Sequence, residues 1–231
     1  MGGYLRTNVT SSDTTAQAVV DGYQFGLYGS KAFGNLDLSL VGGYVIDHFN
    51  VTRTVMLGTD INQLAGAFDG NQIVGALQMD YRLADVDTII KPVLGIQYAH
   101  LTESAFSETG SDSINLAIPA QAYDSLKPYL GLGENWSFAL GKGTQLVPEV
   151  RVTVSKELIN TSATQIQTAF QGATANPFMV SGITPDGTVF GVAGGVSLTL
   201  RKALNFFVDY NGNFSGSQAL NTFNGGVNLA F

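Results

Sequence analysis

Asp80 and Arg82, Lys91, Glu149 and Arg151, and Asp209 are the charges whose spacing gives them a common destination, and His48 and His100 are the only imidazoles. Two histidines could hold a metal or move protons, but ligation needs Cys or carboxylates at ligand spacing beside them, and the chain has no Cys and no such carboxylate cluster. No nucleophile stands near a base in a recognisable pattern. The GKGT stretch at 141–144 lacks the strand, loop and helix of a phosphate site and reads as a turn. The chemistry expected is therefore not catalysis, and no cofactor or metal is called for. A net charge of −7 with scattered acids and no basic cluster also argues against nucleic acid as a partner.

Asp80 with Arg82 and Glu149 with Arg151 stand two residues apart, so each pair shares one face of a strand, and Lys91 and Asp209 stand singly on the polar face of theirs. Two readings follow. They line a polar, charge-balanced passage, or they pair across neighbouring strands to fill and stiffen an interior.

The segments that carry them alternate strictly. LVPEVRVTVS sets Leu146, Pro148, Val150, Val152 and Val154 against Glu149, Arg151, Thr153 and Ser155. IVGALQMDYRL sets Ile73, Leu77, Met79, Tyr81 and Leu83 against Gln78, Asp80 and Arg82. In IIKPVLGIQY, Lys91 opposes Ile90, Pro92, Leu94 and Ile96; in ALNFFVDYNGNF, Asp209 opposes Leu204, Phe206, Val208 and Tyr210, with Phe207 the exception. The last residues, TFNGGVNLAF, put Phe223, Val227, Leu229 and Phe231 on one face. Only Lys31 and Glu134 fall on the apolar register, both beside an expected turn.

A soluble sheet turns its apolar face inward and clothes the other in Lys, Glu and Arg. Here the polar face is Gly, Ala, Ser, Asn and Gln, and charged residues make up 13% of the chain against roughly a quarter in ordinary globular domains. With 28 glycines, the pattern is that of a sheet whose apolar side meets lipid. No run approaches the roughly 18 apolar residues of a membrane helix, so a crossing would use strands, and those must close into a barrel.

Ten strands are expected, at about 2–10, 20–33, 35–49, 71–84, 87–101, 122–139, 144–156, 187–200, 203–214 and 221–231. Short links alternate with longer ones at 11–19, 50–70, 102–121, 157–186 and 215–220, the asymmetry of an antiparallel up-and-down transmembrane β-barrel with short periplasmic turns and long extracellular loops. Tyr23, Tyr44, Trp136, Phe138 and Phe231 lie near strand ends, where aromatic girdles form. One domain spans 1–231, since no Pro- or Ser-rich linker divides it.

Several stretches resemble the β-domain, or translocator, of monomeric autotransporters of the type V secretion pathway. DGYQFGLYGSKAFGNLDLSLVGGY at 21–44 resembles that family's Gly-Tyr to Leu-Tyr-Gly strand pair, with Arg53 where the pair ends in Arg. IKPVLGIQYAHLTESAFSETG at 90–110 is similar to the strand that begins with Pro and closes with Phe-x-Glu. YDSLKPYLGLG at 123–133, AFQGATANPFMVSG at 169–182 and the terminal Phe231 match later features. PEVRVTVSKEL departs from the pattern, carrying Lys156 and Glu157 where the family often has His-Glu-Phe.

The resemblance implies a Gram-negative outer-membrane protein that anchors and helps export an amino-terminal passenger domain. Its implied partners are outer-membrane lipid, its own passenger and the barrel-assembly machinery, the last through Phe223, Val227, Leu229 and Phe231. It implies twelve strands, so that the segment at 2–10 would be the third and 1–231 an amino-terminally truncated β-domain. A stand-alone porin and a soluble barrel holding an apolar ligand are the competing expectations.

Overall fold

Alternation at period two with glycine at the bends gives antiparallel hairpins wherever one face is uniformly apolar, because a one-residue slip would put every side chain on the wrong side. The computed structural model describes residues 1–10, 16–84, 88–111, 113–162, 165–182, 186–201, 203–216 and 218–229. Its strands are β1 (Gly2–Thr10), β2 (Ala16–Phe33), β3 (Leu36–Leu57), β4 (Asp60–Tyr81), β5 (Leu83–Ala84), β6 (Thr88–Glu103), β7 (Phe106–Ser107) and β8 (Leu116–Ile118). They continue with β9 (Gln121–Trp136), β10 (Phe138–Gly141), β11 (Thr144–Lys156), β12 (Gln165–Phe170), β13 (Phe178–Ser181), β14 (Thr188–Leu200), β15 (Leu204–Phe214) and β16 (Ala219–Leu229).

The main sheet runs β1-β2-β3-β4-β6-β9-β11-β14-β15-β16, every neighbouring pair antiparallel, with β5 and β10 as short additions beside β6 and β11. It is curled into a half-barrel with the polar face inside. Burial is inverted relative to a soluble protein. Leu27, Leu40, Leu130, Val208, Phe223 and Val227 are all exposed on the outer face, whereas the buried hydrophobic residues among those described are Leu64, Val93 and Ala169.

Most strands match the sequence expectation, as do the turn at Gly34 and that at Gly141, Lys142 and Gly143, all with positive φ; the strand expected at 122–139 is β9 and β10, and 85–87 and 202, in two of the expected short links, lie outside the described residues. Lys31 and Glu134 stay on the apolar face. Lys31 lies near the end of β2 with its Nζ 5.1 Å from the Phe33 ring centroid, and Glu134 stands opposite Ile90 and Val150. Phe207, the ring on the wrong face, lies against Gly226 directly across the ladder.

One expectation is corrected. Residues 50–70 are not a loop. β3 and β4 continue in unbroken register to Leu57↔Asp60, around a turn at Gly58 whose φ of +63° favours glycine. The long links at 102–121 and 157–186 are also partly ordered, as a second, four-stranded sheet β13-β12-β8-β7.

The sequence hid this extension because its alternation changes phase. Up to Ile46 the outer face of β3 is apolar; beyond it, His48, Asn50, Thr52 and Thr54 face out, and Phe49, Val51 and Val55 face in. On β4 the outer residues become Asp69 and Asn71, and the inner ones Leu64 and Phe68.

Candidate functional site: the polar concave face

The cross-strand register arranges four of the six predicted charges in two rows. One row on the concave face is Lys91, Gly133, Arg151, Ala193 and Asn211; the next is Asn135, Glu149, Gly195 and Asp209. Two bases therefore face each other across a glycine, and two acids do the same one row further on. Lys91, Glu149, Arg151 and Asp209 line one concavity of about 150 Å³, together with Asn135 and Asn211. A second, of about 220 Å³, continues it through Gln78, Gln97, Tyr129 and Thr153, sharing Arg151.

Asp80 lies on the far side of Arg151. It is 7% exposed, its Oδ2 accepts from Gln78 Nε2 at 2.7 Å, and its Oδ1 is 3.8 Å from Arg151 Nη2. Tyr129 donates its hydroxyl to Gln78 Oε1 at 2.7 Å, and Arg151 Nη1 donates to the same oxygen at 3.4 Å. A buried carboxylate costs free energy unless hydrogen bonds and a counter-charge surround it; here Gln78 satisfies Oδ2, while Oδ1 has the charge of Arg151 beside it and no hydrogen bond.

Arg82 is not part of that group. It donates from Nη2 to the Gly34 carbonyl at 2.8 Å and to Asp37 Oδ1 at 3.1 Å, so it ties the β2–β3 turn to the end of β4. Of the two readings offered for the charges, pairing across neighbouring strands describes Arg82 with Asp37, whereas Arg151 on β11 meets Asp80 on β4 with β6 and β9 between them in the sheet. Lys91, Glu149 and Asp209 make no ion pair within 4 Å among the described residues.

Sequence reasoning passed over Tyr129. It falls on the polar register of β9, and its ring lies over Gly95 of β6, its partner in the ladder, to reach Gln78 one strand further. The available signal was an aromatic on the polar face opposite a glycine. Gly95→Ala should force that ring aside and lower stability by about 1–3 kcal/mol. Denaturant unfolding of the detergent-folded protein checks this, with Gly29→Ala, where an added Cβ meets nothing within 4 Å, as the control.

On the outer face, four tyrosines repeat one geometry. Tyr4, Tyr44, Tyr98 and Tyr210 each donate diagonally to the next strand, to Asp21, Asn71, Asp124 and Asn221. His48 Nδ1 pairs with Asp69, and His100 Nδ1 lies 2.9 Å from Asp124 Oδ1. The two histidines belong to separate pairs.

Glu157 opens the link after β11 and is 3% exposed. Its Oε2 accepts from Ser125 Oγ at 2.6 Å, and its Oε1 accepts from the backbone N–H groups of Leu126, Ile159 and Asn160 at 3.1–3.2 Å. Burial pushes the carboxyl up. The Ser125 hydroxyl and the Leu126, Asn160 and Ile159 amides outweigh it and hold the group below its ordinary value.

On β16, Phe223, Val227 and Leu229 share the outer face opposite Tyr210, Phe206 and Leu204, all three well exposed. Phe231 lies outside the described residues.

Residues 1–211 match the family model described as Autotransporter beta-domain. The fold is similar to the translocator domain of the autotransporter NalP from Neisseria meningitidis, with 16% identity over 100% of this chain and 73% of that one, at a TM-score of 0.78. The beta domain of the Bordetella autotransporter BrkA aligns at 12% identity over 100% of this chain and 96% of that one, with a TM-score of 0.34. No curated protein matches the sequence.

Proposed function

The chain belongs to the autotransporter β-domain family, outer-membrane translocators for a passenger domain, and from that premise we propose how its surfaces divide the work. The outer face meets lipid hydrocarbon. The concave face, with Asp80, Lys91, Glu149, Arg151 and Asp209, lines the lumen, while Arg82 braces the periplasmic rim. Translocator domains of this kind are in general not enzymes, and this one acts by anchoring and by offering a polar path.

The observation that carries the reading is the bounded apolar band. From the short turns to the tyrosine row it runs Leu36 to Tyr44 on β3, Tyr81 to Ile73 on β4 and Ile90 to Tyr98 on β6. Nine residues of tilted strand match an apolar belt about 25 Å tall flanked by aromatic girdles. The tyrosine hydroxyls and the His/Asp pairs above them mark where hydrocarbon gives way to headgroups on the extracellular side.

The test is expression, with its passenger, in a Gram-negative cell. Retention in outer membranes through alkaline carbonate, a heat-modifiable band and a passenger accessible to external protease are expected. Extraction by carbonate would overturn the lipid-facing assignment. A related proposal concerns the end of the chain: Phe223, Val227 and Leu229 of the outer face of β16, together with Phe231, which lies outside the described residues, form the signal read by the barrel-assembly machinery. Deleting Phe231, or Phe231→Asp, should lower the amount of heat-modifiable, protease-protected barrel; unchanged levels would refute that role.

A further inference from the structure

Beyond His48 and Asp69 the wall is carried on by β3 and β4, and then sideways by the four short strands. Ala65 and Thr109 exchange backbone hydrogen bonds at 2.9 and 2.8 Å, and the Ser104 amide donates to the Asp69 carbonyl at 2.8 Å, so the β7 segment lies edge-on beside β4. β8, β12 and β13 follow in that order. The register then tells which side chains share each face of this extension.

Phe106 of β7 lies over Gly66 and stacks on Phe68 at 4.3 Å, which puts it on the side that is concave lower down. Ile118 stands opposite Phe106, and Phe170 opposite Leu116. Between β12 and β13, Ile166 opposes Val180 and Thr168 opposes Phe178, all on this same inner side. The other side carries Ser107 opposite Ala117, Gln167 opposite Met179 and Gln165 opposite Ser181. Apolar inside and polar outside is the reverse of the lipid-facing band. The inner charges here cancel, since Arg53 Nε donates to Glu108 Oε1 at 2.6 Å and Nη2 to Oε2 at 2.7 Å.

A sheet that turns an apolar face to water needs something to cover it. Beside the ring stack the face covers itself, and Leu64 is 1% exposed. At the far end it is open: Phe170 is 40%, Phe178 37% and Val180 41% exposed, with the Phe170 and Phe178 ring centroids 5.3 Å apart. β13 is also the last strand of its sheet, paired among the described residues with β12 alone.

We propose that this open end of the inner face docks the protein's own passenger, as an extended stretch with apolar side chains at alternate positions laid along the free edge of β13. The inference rests on the translocator reading. Continuity names the occupant: β3 and β4 run in unbroken register from Leu36↔Tyr81 to Leu57↔Asp60, so the concave face and this apolar face are the same side of one wall. The polypeptide that follows the first meets the second. A strand added to β13 sets every second side chain in line with Phe178 and Val180, and its backbone pairs with an edge that is otherwise bare.

The test uses the full passenger-carrying protein in the outer membrane of intact cells, with the photo-crosslinker p-benzoylphenylalanine placed in turn at positions 178, 180, 167 and 179. Irradiation while the passenger reaches the surface should join it to the probe at 178 and at 180. Probes at 167 and 179, on the opposite face, should give roughly tenfold less. With the probe at 178, adding Val180→Ser should lower the passenger crosslink roughly tenfold, and Met179→Ser, in the same strand, should leave it unchanged. Passenger display and heat-modifiable mobility report the translocator reading separately and should stay at parent level. With the passenger displayed, equal crosslinking from both faces, crosslinks to a second copy of the chain alone, or none at 178 and 180 overturns the docking site. So does an equal loss with Val180→Ser and Met179→Ser.

Discussion

Leu132→Arg is expected to cost about 2–4 kcal/mol of folding stability in a bilayer and to reduce the assembled barrel sharply. Leu132 is on the outer face of β9, opposite Pro92 and Val152, in the middle of the apolar band, and is 50% exposed. In water an added Arg at so open a position would be close to neutral, so the size of the loss separates a lipid-facing wall from a solvent-facing one. Gln97→Arg supplies the comparison. Gln97 lines the polar concavity, and a charge there should cost less than about 1 kcal/mol. Urea titration of the protein folded into vesicles gives both values, and equal losses at the two sites would contradict the assignment of faces.

Glu157→Ala is expected to cost about 3–5 kcal/mol locally, because it removes a buried carboxylate that four donors share and leaves those donors without an acceptor. Glu157→Gln keeps one acceptor oxygen and should lose about half as much. Hydrogen exchange at the Leu126, Ile159 and Asn160 amides is the direct readout, and parent-like protection would rule out the clamp. The pH dependence has a definite sign. A carboxyl whose folded value lies below its unfolded one, near 4.3, contributes fully above that value, and the contribution is lost as pH falls through the folded value. Protection of these three amides should therefore be flat from neutral pH to about 5 and decline in more acidic buffer. Lys127 faces the same carboxylate, its Nζ 3.8 Å from Oε2.

Strands and short turns were legible because these segments keep a single phase of alternation, apolar on the exposed outer face and polar on the concave one. LVPEVRVTVS or IIKPVLGIQY could be assigned to a face by inspection. The same rule failed at VTRTVMLGTDINQLAGAFDG, where the outer face turns polar, the inner face carries the Phe49, Phe68 and Phe106 ring row, and the phase reverses without a break in the strand. The lumenal candidates were legible as a set, since any charge on the polar register belongs to it. Which of them meet was not. Arg82 pairs with Asp37 and not with a neighbour in the set, a choice fixed by the turn at Gly34. Arg53 and Glu108 are 55 residues apart, and only the extension of β3 beyond the expected end at 49 brings them together. Tyr129 reached Gln78 through a glycine on an intervening strand, information that resides in the register and not in either residue.

The ordering of acids and bases by row has a mechanical consequence. Rows on one face of a strand are about 7 Å apart, so a polypeptide drawn along the proposed lumen passes from the belt of Lys91 and Arg151 to that of Glu149 and Asp209 within a single step. Attraction at one belt is offset by repulsion at the next, whichever sign the moving segment carries. In such a lumen the two bases and two acids cancel within one row spacing, so a segment of either sign would find no net pull from the four of them together.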